Sequence, residues 1–330
     1  MRRNNVVSCA AWRRHFMMLC TALIVGVAGI AFAEASAPAA AATGAKPVVC
    51  ATFYPLAFFA SQIAGNHVHV VCYVPENKDP SSWMPDRDTL VKMQKADLIL
   101  MNGANYELWA KKVSLPPSKT VIATNPFEKE LIRFPNAITH SHGPAGMHTH
   151  EGIDGHTWLD PINAITEAET VEKALLQHFP SNEADFAKGF SALKKQFTDL
   201  DGAFRKSSRD IQGKILLCTH PAYNYIARRY GWTVETHSIN PDDRLDPKDL
   251  EWIKDSHAKH PFACVLWESQ PKPEIEKAIG DATGLRSIVF SPCELLSADE
   301  AKAGFDYFKI MDGNLERFEK AINNPAPTRP

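Results

Sequence analysis

What this 330-residue sequence has little of narrows its function first. It carries no excess of charge of one sign, with 36 Lys and Arg against 38 Asp and Glu. That balance does not supply the basic surface of a nucleic-acid binder, so no such partner is expected. It has no CxxC pair, which excludes a zinc ribbon and a thioredoxin-like redox motif. It lacks HExxH and GxSxG, signatures of metal-assisted and serine hydrolysis. Beyond residue 33 no apolar run is long enough to cross a bilayer. Apolar residues are not scarce: 45% of the chain is hydrophobic and 22% charged. That composition excludes a mostly disordered chain, and the length allows a sizeable core and about two domains.

The N-terminus reads as an export leader. Arg2, Arg3, Arg13 and Arg14 flank or precede an apolar run from Phe16 to Ala33, and Ala31-Phe32-Ala33 sets small residues where a signal peptidase cuts. Residues 1–33 are expected to be a signal peptide, with an uncleaved anchor as the competing reading. Arg13-Arg14-His15-Phe16 also resembles a twin-arginine signal. Without those four arginines, 32 basic residues face 38 acidic ones, a net charge of −6 that does not repel cations. Residues 34–46 form an Ala-rich linker, and the expected location is the periplasm. Five cysteines follow the leader: Cys50, Cys72, Cys218, Cys264 and Cys293. Most sit in apolar runs as small core residues, while an oxidising compartment allows one or two pairs among them.

Two alternating series follow. The first has β-type runs at 48–53, 68–74, 97–101 and 120–124, with helices near 55–64, 88–96 and 105–112. The second has runs at 214–218, 233–237, 263–267 and 287–290, with helices near 222–230, 247–259 and 271–283. Strands alternating with helices of this length make βαβ units. Between the series, Phe186, Phe190, Leu193, Phe197, Leu200 and Phe204 recur at spacings of three and four, one apolar stripe on a long helix with Ser181 as its N-cap. The expected fold is α/β: two α/β lobes with mainly parallel sheets, the first over 47–180 and the second over 210–330, joined by a long rigid helix over 181–209. A site would lie in the cleft between them.

Thirteen histidines are present, and five fall between 140 and 156. The segment HSHGPAGMHTHEGIDGH is rich in Gly and is expected to be a mobile surface loop. Imidazole suits zinc, copper or nickel, so His140, His142, His148 and His150, with Glu151, are candidate weak metal contacts. His156 differs, because HTWLDP leads into a helix at Asp160-Pro161. His220 follows the apolar run KILLC, at the C-terminal end of a strand, where ligands of open α/β sheets bind. One such histidine in each lobe makes a candidate cleft pair.

The stretch from VVCATFYPLAFF to NGANYELW, then GHTWLDP, CTHPAYNYIARRYG, PDDRLDPKDLEWIKD and ACVLWESQPKPEIEKAIGDATG, resembles the zinc/manganese solute-binding proteins of ABC importers, through essentially the whole chain from Lys46. The resemblance implies two lobes on one long helix and a buried metal between them, usually held by four side chains. His156 and His220 fall at two of those positions. Ser81, in Asp79-Pro80-Ser81, stands where the family has a His, and Ser291, before Pro292, where it has an Asp. A neutral hydroxyl is a poor zinc ligand. The open positions then fall to His148, His150, Glu151 or Asp154 folding back, to water, or to donors that a metal chelate brings. Alternatively the cleft takes a small organic solute, with Trp83, Trp158 and Trp267 as stacking surfaces. Glu268 and Cys293 lie near the same strand ends.

The function these readings imply is a monomeric periplasmic solute-binding protein, not an enzyme. It captures Zn2+ ahead of Mn2+ and delivers it to an ABC permease in the inner membrane. The alternative keeps the scaffold and exchanges the ion for a metal chelate or organic solute.

Overall fold

The apolar runs become two four-stranded parallel sheets. The computed structural model describes residues 45–76, 78–134, 138–141, 147–150 and 152–323; the expected signal peptide, residues 34–44, His142 and Glu151 lie outside them. The first sheet has β1 (Val48–Ala51), β2 (His69–Cys72), β3 (Leu98–Met101) and β4 (Thr120–Ile122) in the order β2-β1-β3-β4. Every pairing in it is parallel. Helices α1 (Tyr54–Ala64) and α2 (Arg87–Lys95) make its first crossovers. The expected helix at 105–112 is only a short 3-10 turn over Leu108–Lys112. Its first residues cannot start an α-helix, because Ala104 and Asn105 sit in the left-handed region at φ 50° and 59°.

The segment expected as a loop around 140–156 contains a hairpin. Strands β5 (Ile138–Ser141) and β6 (Met147–His150) pair antiparallel, with His140 opposite His148 and Ile138 opposite His150. Then come α3 (Pro161–His178), capped by the Asp160 carboxylate on the Ile162 amide, and α4 (Glu183–Ser207). Ser181 is not the N-cap of α4; it lies in a 3-10 turn, and Asn182 precedes the helix without a side-chain cap.

The second sheet has β7 (Ile215–Cys218), β8 (Thr233–Thr236), β9 (Phe262–Trp267) and β10 (Ser287–Val289), in the order β10-β9-β7-β8 and again all parallel. Between its strands run α5 (Asn224–Tyr230), α6 (Pro247–Lys259) and α7 (Pro273–Thr283). The chain continues into α8 (Ala298–Lys302) and α9 (Tyr307–Asn323), which the strand–helix alternation did not predict.

Side-chain alternation divides each sheet. Val49, Ala51, Leu98 and Leu100 face one way, and Cys50, Ile99 and Met101 the other. In the second sheet Leu216, Cys218, Cys264 and Leu266 face one way, and Leu217, Val265 and Trp267 the other. The first set from each sheet joins one continuous core with α1, α3, α4 and α9. On α4, Phe186, Leu193, Phe197, Leu200 and Phe204 are buried in that core, while Phe190 packs only at its margin. Phe197 meets Phe59 of α1 edge-on at 5.3 Å and Tyr307 of α9 at 5.5 Å. Gly189 lets α4 come close to the end of α1, since a Cβ there would lie 2.4 Å from the Ile63 carbonyl oxygen. From Lys46 onward the chain is therefore one compact unit. All five cysteines carry unpaired thiols, four of them buried, as core residues rather than bridges.

Candidate metal centre

His156 stands just before the turn Thr157–Leu159 that feeds α3, and is 1% exposed. The Asp154 Oδ1 accepts from the His156 backbone N–H at 2.9 Å and lies 2.8 Å from Nδ1. Asp154 is itself held, since Asn224 Nδ2 donates to its Oδ2 at 2.9 Å. A carboxylate on Nδ1 fixes the tautomer and turns Nε2 toward the cleft. The ring packs against Trp158, with centroids 5.3 Å apart.

His220 follows β7 in the second lobe and is 2% exposed. Its Nδ1 lies 3.0 Å from Glu268 Oε2, at the end of β9, so its Nε2 is also turned inward. The two Nε2 atoms approach to 3.3 Å. Glu294, in the loop after β10, brings Oε1 to 2.9 Å from His156 Nε2. Donor atoms of His156, His220 and Glu294 all lie within 4.8 Å of one another. Burial alone would lower the His156 pKa, but the Asp154 and Glu294 carboxylates outweigh it and push it up to about 10.

The Glu294 loop belongs to the second lobe and is pinned to the first. Trp158 Nε1 donates to the Pro292 carbonyl at 2.7 Å, and the Tyr54 amide donates to the Glu294 carbonyl at 3.2 Å. Cys293 adopts φ 59°, a left-handed turn that directs the next residue, and its amide donates to Ser291 Oγ at 3.1 Å. Ser291 is further clamped by Asn314, which accepts from its N–H and donates to its carbonyl. Burial raises the Cys293 thiol well above its ordinary value, which holds it neutral.

The other candidates are placed differently. Ser81 is buried, and its N–H and hydroxyl both donate to Asp79, at 2.8 and 2.9 Å. Trp158 and Trp267 are wholly inside the core and present no stacking face, and Trp83 is half-buried. His140, His148 and His150 lie on the hairpin strands, and Glu268 and Asp154 stand behind the rings as orienting carboxylates. Glu294 escaped sequence reasoning. The signal available was its position in the loop after the last strand of a parallel sheet, where site residues gather. A cavity of about 280 Å³ opens beside Glu294, edged also by Glu76, Asp79, Asp242 and Glu268, with Lys78 as the one cation among its lining residues. Two buried imidazole nitrogens and a carboxylate oxygen form a donor set suited to a borderline divalent cation such as zinc.

A family model described as periplasmic zinc-uptake complex component A, ZnuA, matches residues 49–321. The zinc-binding lipoprotein AdcA of Streptococcus pneumoniae R6 is 26% identical over 284 residues, covering 84% of this chain and 56% of AdcA. The chain thus spans little more than half the length of those curated relatives. The high-affinity zinc uptake system protein ZnuA of Bacillus subtilis 168 is 25% identical over 314 residues, covering 94% of this chain and 98% of that protein. The Zn(II)-bound ZnuA-like domain of S. pneumoniae AdcA superposes with a TM-score of 0.73 at 25% identity, covering 84% of this chain and all of that domain.

Proposed function

Because the chain belongs to the family of periplasmic zinc-uptake complex component A proteins, we propose that it captures Zn2+ in its inter-lobe cleft and hands it to an ABC permease. It is a binding protein and not an enzyme, which sets aside the hydrolase class. The observation that carries the reading is the convergence of His156, His220 and Glu294 on one point within 4.8 Å. Two nitrogen donors favour zinc over manganese, which prefers more oxygen. Family membership and the core positions of Trp158 and Trp267 favour the ion over an organic solute.

The exported, periplasmic location, the signal peptide at 1–33, the twin-arginine signal, a monomeric state and the permease partner are part of the same proposal. So are the boundaries of the two lobes and the connecting helix. No helix among the described residues is long and apolar enough to cross a membrane. Neither Ser81 nor Ser291 is assigned as a ligand, since each hydroxyl is engaged by its own loop. A second, weaker metal contact by His140, His142, His148, His150 and Glu151 is part of the same proposal; His142 and Glu151 lie outside the described residues.

Calorimetry with zinc and manganese on the chelator-treated mature chain tests the reading. One zinc should bind to the wild type, manganese more weakly, and His156→Ala or His220→Ala should abolish the cleft event. Deletion of 138–150 should leave that event in place. Tight binding lost only on that deletion would reject the cleft site.

A further inference from the structure

The open edge of the second sheet borders a cavity of about 760 Å³, which none of His156, His220 and Glu294 lines. Strand β10 forms its floor, with α7 on one side and α9 on the other. Sites for small molecules have volumes of roughly 300–1,000 Å³. We propose that this cavity is a second binding site, separate from the metal centre, for a small organic carboxylate. The anionic head goes to Arg286, Arg317 and Lys320, and an apolar body rests on Leu285 and Ile288.

Charge selects the head group. Three cations line the cavity against Glu276 alone. Lys320 is paired with Glu316 on its own helix, but Arg286 forms no ion pair among the described residues. Arg317 is held by neutral acceptors: its Nε donates to the Val289 carbonyl and one Nη to Asn314 Oδ1, both at 2.7 Å. Those bonds fix the guanidinium plane without cancelling its charge. Burial pulls the Arg317 pKa down, against the opposing pull of Glu316. A carboxylate in the cavity would offset that cost and form charge-assisted hydrogen bonds with the fork.

The sheet edge points to the same class of ligand. The Val265 N–H donates to the Arg286 carbonyl at 2.8 Å, and the Phe290 N–H to the Trp267 carbonyl at 2.7 Å. Alternation along β10 therefore turns the backbone groups of Ser287 and Val289 away from β9 and toward the cavity. An added peptide strand would need the Val289 carbonyl as an acceptor, and Arg317 already occupies it. The two outward N–H groups remain as donors. Ser287 adds a buried hydroxyl with no hydrogen-bond partner among the described residues. Such a group is costly until something accepts from it. Surplus donors beside cations suit a carboxylate rather than a strand. On the helix wall, a Cβ at Gly280 would meet only the Leu285 carbonyl oxygen, at 3.6 Å, so a side chain can be added there without a clash.

The zinc-loaded mature chain is titrated with sodium hexanoate while the Ser287 and Val289 amides are followed by heteronuclear NMR. Both amides should shift together and saturate. Hexylammonium, the same chain with the opposite charge, should leave them unmoved. Inorganic phosphate, a charge without the apolar body, should bind about tenfold more weakly or less. Arg286→Glu should weaken hexanoate about tenfold or more, and Gly280→Leu should abolish its binding, with melting temperature and zinc affinity kept in both. His156→Ala should bind hexanoate as the wild type does. Amides that stay still, an equal response to hexylammonium, phosphate binding as tight as hexanoate, or an unchanged affinity in Arg286→Glu would each overturn the inference. So would loss of hexanoate binding in His156→Ala, which would place the carboxylate on the metal.

Discussion

Glu167 on α3 is wholly buried, with the Thr157 hydroxyl beside its carboxyl group. Burial raises its pKa to about 8; the Asp160 and Glu107 charges push the same way, and the Thr157 hydroxyl opposes them. The folded chain therefore keeps a proton that the unfolded chain loses near pH 4.5, and its stability must fall as pH rises between those two values. Glu167→Gln, which cannot ionise, should raise the melting temperature at pH 9 and change it little at pH 5. Thermal denaturation at the two pH values checks this, and an equal shift at both would reject it. The carboxylates behind the histidines make another prediction at this scale. Asp154→Ala and Glu268→Ala each leave a ring that can turn, and should weaken zinc binding by about 10- to 100-fold without abolishing it. Competition against a chromophoric chelator measures that, and an unchanged affinity would deny them an orienting role.

At the scale of elements, the α1–α4 contact depends on a missing side chain. Gly189→Leu would drive a Cβ against the Ile63 and Gln62 carbonyls, which are backbone and cannot swing aside. Overpacking of this kind costs about 1–3 kcal/mol, and urea unfolding should show that loss. Phe197, on the next turns of the same stripe, contacts rings from α1 and α9, so Phe197→Ala should cost about 3–5 kcal/mol in the same assay. The stripe itself was legible, because a 3.6-residue period needs only one helix face to be buried. The turn at Leu108–Lys112 was not, because Ala104, a strong helix former by propensity, is held in the left-handed region by the fold. Helix α9 was overlooked because its apolar residues, such as Tyr307, Ile310, Met311 and Phe318, follow the last strand, where no further βαβ unit called for a helix.

For the molecule as a whole, the core that runs from the inner face of one sheet through α4 to the inner face of the other leaves no seam along which one half could melt alone. Unfolding should be a single transition, coincident by tryptophan fluorescence and far-UV circular dichroism. Zinc at 100 times its dissociation constant should add about 2.7 kcal/mol, and the resulting rise in melting temperature should vanish in His156→Ala. Two separated transitions would show that the lobes are energetically independent.

Local pattern was enough to reveal the alternation of strands and helices, the long striped helix and the two histidines at strand and helix ends. Each of these is written in residues close together along the chain. What only the folded molecule decided is which third group joins them. His156 and His220 are 64 residues apart, and Glu294 is 138 residues from His156. Their meeting depends on the left-handed turn at Cys293 and on the bond from Trp158 to Pro292, which docks a loop of one lobe against the other. No period or spacing encodes that contact, because side-chain donors are brought within coordinating distance by the packing of both sheets on a shared core.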